Sequence, residues 1–401
     1  MRVAVTGATG NVGTAVVSAL SQHPDVDEVI AIARRQPDTS PPKTEHVAAD
    51  IAADSLAAQF AGADAVIHLA WRFQPTHRPI TTWQTNVIGT VRVLDAVAAA
   101  GVPSFVYSSS VGAYSPPPAD DRPVDESWPT HTTPTAIYGR EKAYVERILD
   151  EFEVVHPHIR VARLRPAFMF QRRSASEQRR IFGGRFLPRR LFDHGFLPIV
   201  PLPRGLRFQA LHTADAAEAF VTCALGRHRG AFNLAADGVI DATVLAETLG
   251  TRKIDVPLPL VRGAVAAAWR VHAAPVEPGL IDLVMRLPLL DTTRAISELG
   301  WRPLRSAHEA LAELFGGISD GAGAPTPPLH ADVEIATPSD IGGAAVHGAD
   351  RPASTKSTQS EDAALPVSRR TTPESEFTAT LAAGGHGIDP QTTQVEGPNS
   401  L

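Results

Sequence analysis

The sequence holds little that would place it outside a reducing, aqueous compartment. Its single cysteine, Cys223, excludes an internal disulfide framework and a cysteine-rich zinc site. No run of about 18 apolar residues occurs, which excludes a spanning helix. The chain opens on Met-Arg-Val-Ala-Val-Thr-Gly, directly into a strand pattern, with no basic leader before an apolar signal core. A cytoplasmic location is the expectation. No histidine pair has metal-ligand spacing, so His68 and His212 read as strand-end and structural residues. Cys223 reads as a small core residue in an alanine-rich helix.

Charge of one sign is also missing from most of the chain. The formal net charge is −6, but Ser319 to Leu401 carries 11 acidic and 4 basic residues. The remainder holds 33 basic and 32 acidic residues, a net of +1. Such a body has no global field to attract nucleic acid or an anionic membrane. The last 83 residues contain no Trp or Tyr, one Phe, nine Gly and nine Pro. They bury too little apolar surface to offset ordering at roughly 1–2 kcal/mol per residue. Residues 318–401 are therefore expected to be a disordered low-complexity tail.

What is present is an alternation of short apolar runs with helical patterns, the signature of a parallel sheet covered on both faces. Arg2–Val5, Val29–Ala33, His46–Ala49, Ala65–Leu69, Phe105–Tyr107 and Arg160–Leu164 read as strands. Val12–Leu20, Ser55–Phe60, Ile88–Ala100 and Ile137–Phe152 read as helices. The expected class is α/β: a Rossmann-type doubly wound sheet over residues 1–165. A smaller, irregular substrate-binding part over 166–317 would be interleaved with the end of that core. Val261–Val271 reads as a packed helix rather than a membrane-surface one.

Thr6-Gly7-Ala8-Thr9-Gly10-Asn11-Val12-Gly13 follows the first strand and opens the first helix. Gly7 permits the tight turn, Gly10 lets the backbone approach a pyrophosphate, and Gly13 packs helix against sheet. The free N–H groups at the helix start then face negative charge. After the second strand the chain reads Ile32-Ala33-Arg34-Arg35, without the acid that accepts from a ribose 2′-hydroxyl in many NAD binders. Two arginines there suit a 2′-phosphate, hence NADP over NAD; the alternative is a solvated surface pair. Asp50 and Ile51, after the third strand, are placed to contact adenine.

Tyr138 and Lys142 are spaced Y-x-x-x-K, which puts both on one helix face, one turn apart. A free tyrosine has a pKa near ~10 and exchanges protons poorly at neutral pH. A nearby ammonium stabilises its phenolate. Ser108-Ser109-Ser110 ends a strand, where a doubly wound sheet opens its ligand crevice. A serine there can hydrogen-bond a substrate oxygen.

Together these residues resemble the extended short-chain dehydrogenase/reductase superfamily, in its NAD-dependent epimerase/dehydratase branch. The resemblance covers nearly all of 1–317. It implies that Ser110, Tyr138 and Lys142 are catalytic. It further implies that Thr9, Leu69, Ala70, Asn86, Ser108 and Pro166 join the glycine turn, Tyr138 and Lys142 in holding the cofactor. His212-Thr213-Ala214-Asp215 and Leu299-Gly300-Trp301-Arg302-Pro303 resemble later family segments. A homodimer through the catalytic helix and its neighbour is implied as well. Two departures narrow the chemistry. Ser110-Val111-Gly112-Ala113-Tyr114 lacks the acidic pair of the dehydratases. Phe208 stands where sugar-nucleotide enzymes often carry an arginine that grips a diphosphate, although Arg207 is adjacent.

Gln171 to Ala210 interleaves nine arginines, among them Arg172, Arg173, Arg179, Arg180, Arg185 and Arg207, with phenylalanines that include Phe186. That pattern suits an anionic substrate with an apolar body, or a solvated lid. The expectation is an NAD(P)-dependent oxidoreductase acting on the hydroxyl/carbonyl pair of a small molecule. An NAD-dependent sugar-nucleotide epimerase is the first alternative. A regulator that senses NADP without turnover is the second, and it has no chemical need for all of Ser110, Tyr138 and Lys142.

Overall fold

The computed structural model describes residues 1–73, 76–184 and 187–331. Seven parallel strands form the central sheet: β1 (Arg2–Thr6), β2 (Glu28–Ala33), β3 (Thr44–Ala48), β4 (Ala65–His68), β5 (Ser104–Ser108), β6 (Arg160–Pro166) and β7 (Gly230–Leu234). Their order is β7-β6-β5-β4-β1-β2-β3. β1 pairs with β2 on one side and with β4 on the other. The chain therefore reverses direction across the sheet at β1, and a doubly wound sheet opens its crevice at such a switch point. β1, β2 and β4 hold short continuous apolar runs because both faces of the sheet are covered, whereas the edge strand β3 carries Thr44, Glu45 and His46. Val3, Val5 and Ile67 pack on one side; Ala4, Val66 and Phe105 pack on the other.

Helices α1 (Asn11–Gln22) and α2 (Gly89–Ala99) follow β1 and β4. The catalytic-motif helix is α3 (Ile137–Val155), one turn longer than its apolar pattern indicates. α2 continues from a helical stretch that starts at Pro79, through a π-helical turn at Gln84–Ile88. The expected start at Ile88 misses that stretch because Thr81, Thr82 and Thr85 carry no helical apolar stripe.

The later part adds α4 (Ala175–Phe182), α5 (Thr213–Leu225), α6 (Leu258–Arg270), α7 (Pro278–Val284) and α8 (Ala307–Ser319). Three two-stranded pairs accompany them; one joins Phe168–Phe170 to Ala210–His212. α6 is helical as expected; none of its residues is fully buried, and it packs through Arg262 on Asp282 of α7 and through Trp269 stacked on His77. Among the described residues, no helix is long and apolar enough to cross a membrane.

The expected boundary near residue 317 needs correction. α8 runs to Ser319, and the chain then turns back on the body. Ser176 N donates to Ala322 O at 3.1 Å, and Ala324 N to Leu329 O at 2.7 Å. Ala324 and Leu329 are buried, and Thr326 Oγ1 donates to Thr9 O at 2.9 Å. Single anchoring residues and backbone bonds fix this segment, and neither leaves a compositional mark. Residues 332–401 of the expected tail lie outside the described residues, as do Arg185 and Phe186.

Candidate active site

The glycine turn is built as its spacing predicts. Gly7 has φ +74°. A Cβ on Gly13 would stand 2.2 Å from Gly7 O, so only glycine lets α1 approach β1 so closely. Gly10 differs: a Cβ there would meet nothing nearer than Gly7 O at 3.5 Å. Packing does not require glycine at that position, which leaves open space above the start of α1. No side chain caps that start, whereas Ser306 and Glu309 form a full capping box on α8. An anion-sized space facing uncapped N–H groups is what a pyrophosphate needs.

Two cavities meet at this turn. One, of ≈ 480 Å³, runs past Thr9, Gly10, Arg34, Arg35, Asp50, Ile51, Leu69 and Ala70. Arg34 and Arg35 are exposed at its rim. The other, of ≈ 260 Å³, is lined by Asn11, Val12, Ser108, Ser110, Tyr138, Lys142 and Pro166. Gly7, Gly10 and Trp71 line both. The pair forms a continuous trough from the ends of β2 and β3 to the Ser-Tyr-Lys group, and its residues fit an extended dinucleotide.

Three predicted residues have roles that spacing does not show. Asn86 is fully buried and does not line either cavity. Its Oδ1 accepts from Arg72 N at 2.6 Å, and its Nδ2 donates to Arg72 O at 3.1 Å and to Glu141 Oε2 at 2.7 Å. These bonds hold the loop after β4. The side chain of Asn11 is likewise committed, to Met169 O, Gln171 and Thr213. Lys142 does not reach toward Tyr138. Its Nζ donates to Ser108 O at 2.6 Å and lies 3.5 Å from the centre of the Trp71 ring, a cation–π contact. Burial lowers its pKa well below the usual lysine value, while Glu146 and Glu141 act the other way.

Tyr138 packs edge-on against Phe73, with ring centres 4.8 Å apart. Burial pushes its phenol up to about 12, and a hydrogen bond with Ser110 opposes the rise. The phenol is therefore protonated and neutral at physiological pH. Ser110 Oγ also accepts from Gly112 N at 3.0 Å, which fixes it beside the phenol. His68 is neutral; burial and then the Lys142 charge bring it down to about 3. Its ring nitrogens bond Thr6 and Thr90, so its role is structural, as expected.

Beneath the serine segment lies a buried ion network. Arg165 Nε and Nη2 each lie 2.9 Å from a Glu146 carboxylate oxygen, and Arg163 Nη1 lies 3.2 Å from Oε2. Ser109 Oγ donates to Glu146 Oε1 at 2.5 Å. The network ties α3 to β6 and holds Ser109, the neighbour of Ser110. Burial raises the Glu146 pKa, but the Arg165 bonds and the two guanidinium charges outweigh it and hold the carboxyl at about 2.

The far wall of the smaller cavity was not legible as a site. It comprises Phe73, Phe168, Ile181 and Phe182, with Leu280, Leu283, Val284 and Leu287 along and just beyond α7. The i, i+3, i+4, i+7 spacing of those last four is a helical apolar stripe, which sequence alone reads as core. Ile137 N donates to Glu277 Oε1 at 3.0 Å, which anchors the start of α7 beside α3. The arginines of 171–210 do not converge here. Arg207 pairs with Asp121, Arg172 with Asp320, and Arg179 with Leu187 O. Only Arg180 among the described ones borders the trough, on its dinucleotide side, while Glu177 lines both cavities. The later family-like segments serve packing: Trp301 Nε1 donates to Asp215 O at 2.7 Å.

Comparison with known proteins agrees with this geometry. The family model described as "NAD dependent epimerase/dehydratase family" matches residues 3–235. An uncharacterized protein of Mycobacterium tuberculosis is 27% identical over 319 residues, which cover 78% of this chain but 30% of that relative. The chain thus spans under a third of that relative's length. UDP-glucose 4-epimerase of Yersinia pestis is 28% identical over 274 residues, 63% of this chain and 74% of the relative. Among solved structures, MoeE5 in complex with UDP-glucose and NAD aligns with TM-score 0.56 at 20% identity, covering 79% of this chain and 98% of the other. UDP-N-acetylglucosamine 4-epimerase from Methanobrevibacter ruminantium aligns with TM-score 0.60 at 17% identity, covering 80% and 98%. At those identities the structural likeness shows the fold alone. The family match spans the sheet, the glycine turn and the Ser-Tyr-Lys group, and on that ground the chain belongs to the NAD-dependent epimerase/dehydratase family.

Proposed function

We propose that this chain is a nicotinamide-dependent enzyme that oxidises a secondary hydroxyl or reduces the matching carbonyl. The observation that carries the reading is the single trough joining an open pyrophosphate turn to a hydrogen-bonded Ser110–Tyr138 pair. Bound dinucleotide would supply the hydride acceptor or donor. Ser110 orients the substrate oxygen. Tyr138 gives its proton to that oxygen during reduction and takes it back during oxidation. Lys142, one helix turn from Tyr138, would hold ribose hydroxyls of a bound dinucleotide. The family and the Yersinia relative favour an epimerase, in which the same carbon is oxidised and then reduced on its other face. A dehydrogenase that releases the carbonyl is the second reading, favoured by exposed arginines suited to an exchangeable NADP. The two separate in one experiment. With substrate and stoichiometric cofactor, a dehydrogenase accumulates reduced nicotinamide, and an epimerase inverts the carbinol with no net accumulation. Absence of both outcomes across secondary alcohols would overturn the proposal.

NADP preference rests on Arg34 and Arg35 at the rim of the larger cavity. Replacing both by alanine is expected to weaken NADP binding by about tenfold or more, equivalent to ~1.4 kcal/mol, and to leave NAD affinity nearly unchanged. Calorimetric titration with each dinucleotide checks this; equal losses for both would assign the arginines to the shared pyrophosphate or adenine instead.

A further inference from the structure

Resting on the hydride-transfer reading, we infer that the substrate carries its hydroxyl or carbonyl on an apolar ring or chain body, not on a sugar held by a nucleoside diphosphate. The space beyond the Tyr138 hydroxyl is walled by Phe73, Phe168, Phe182, Leu283, Val284 and Leu287. These side chains cannot satisfy the hydroxyls of a sugar, and a polar group buried unpaired is costly. Among the described residues lining this cavity there is no arginine, and its one lysine is Lys142 beneath the cofactor site. A diphosphate in a buried site needs such a partner. The nearby arginines that sequence offers for the purpose are turned to other groups: Arg207 to Asp121, Arg172 to Asp320, and Arg179 to main-chain oxygens of Gly184 and Leu187. Beyond Ser110 and Tyr138 the polar groups in this wall are few: Glu177, whose carboxyl burial pushes up to about 7, and Gln178. A molecule that matches this distribution has one oxygen at a secondary carbon and a hydrocarbon remainder. Gln178 lies in the wall but is already bonded to Met169 O and Ser174, so it offers little to a second hydroxyl.

The test is binding of two probes, 2-decalone and UDP-glucose, to the full chain saturated with NADP, and separately with NAD, followed by calorimetry. Decalone is expected to bind at least about tenfold more tightly than UDP-glucose. The variant Phe182→Arg sits at an exposed position and leaves the core intact. It should weaken decalone binding by about tenfold or more while changing dinucleotide affinity little. Comparable or tighter binding of UDP-glucose, or no decalone binding by cofactor-loaded protein, overturns the inference. Binding is read without turnover, so the two readings fail separately. Decalone that binds wild type and Tyr138→Phe alike, and is reduced by neither when the reduced nicotinamide is supplied in place of the oxidised one, sinks the hydride-transfer reading and leaves the substrate class standing.

Discussion

Tyr138→Phe is expected to lower turnover by about 10²–10⁴-fold while leaving dinucleotide affinity within a few-fold of wild type. The phenylalanine ring keeps the edge-on packing against Phe73 and removes only the hydroxyl. Loss of that oxygen takes away the proton donor and also the group hydrogen-bonded to Ser110. Steady-state rates with the best substrate, together with calorimetry for the cofactor, check both halves. A variant that keeps turnover within a few-fold would assign the proton to another residue, and Ser110 would be the first to examine. The elevated phenol pKa of about 12 gives the direction of the pH effect. The protonated form dominates at neutral pH, so the reduction direction has its donor ready. The oxidation direction needs the phenolate, and its rate is expected to climb as pH rises from 7 toward 9.

Glu146→Ala is expected to cost about 3–5 kcal/mol of stability, the largest loss foreseen for a single substitution in this fold. Glu146 is fully buried, and Arg163 and Arg165 are nearly so. Removing the carboxylate leaves two guanidiniums close together without their shared counter-charge, and Ser109 loses its acceptor. Urea unfolding followed by circular dichroism reads the loss; a change under about 1 kcal/mol would mean that water or Asp150 and Glu153 replace the carboxylate. The same pair makes stability pH-dependent in a defined window. The folded-state pKa of Glu146, about 2, lies below its ordinary value of 4.5. Its stabilisation is therefore complete above about 4.5 and is lost as pH falls toward 2. In Glu146→Gln that part of the acid dependence should vanish.

The sheet was legible in the sequence because most of its strands hold a short apolar run and because Gly7 and Gly13 of the first turn have a steric reason to be there. The candidate Ser-Tyr-Lys group was legible because its spacing is local: Tyr138 and Lys142 lie on one helix, and Ser110 lies two residues past a strand end. Three features were not. Asn86 sits where a cofactor contact was expected, yet it serves the backbone of Arg72, and a side chain's orientation within a buried helix leaves no trace in spacing. The apolar wall on α7 reads as core, because a stripe facing an empty cavity and a stripe facing a neighbouring helix look identical. The arginines of 171–210 suggested an anion site, but ion pairs with Asp121 and Asp320 depend on contacts far apart in the chain. The segment 318–331 folds through Thr326 and a few main-chain bonds, which composition does not record.

The most direct measurement is a crystal structure of the full chain with NADP and an unreactive substrate-like ketone. The account predicts the pyrophosphate above Gly10, the adenosine beside Arg34 and Arg35, and the nicotinamide between Pro166 and Tyr138, with the ketone oxygen in reach of the Ser110 and Tyr138 hydroxyls. A dinucleotide bound in the opposite sense, or a nicotinamide separated from Tyr138 by the Trp71 ring, would contradict it.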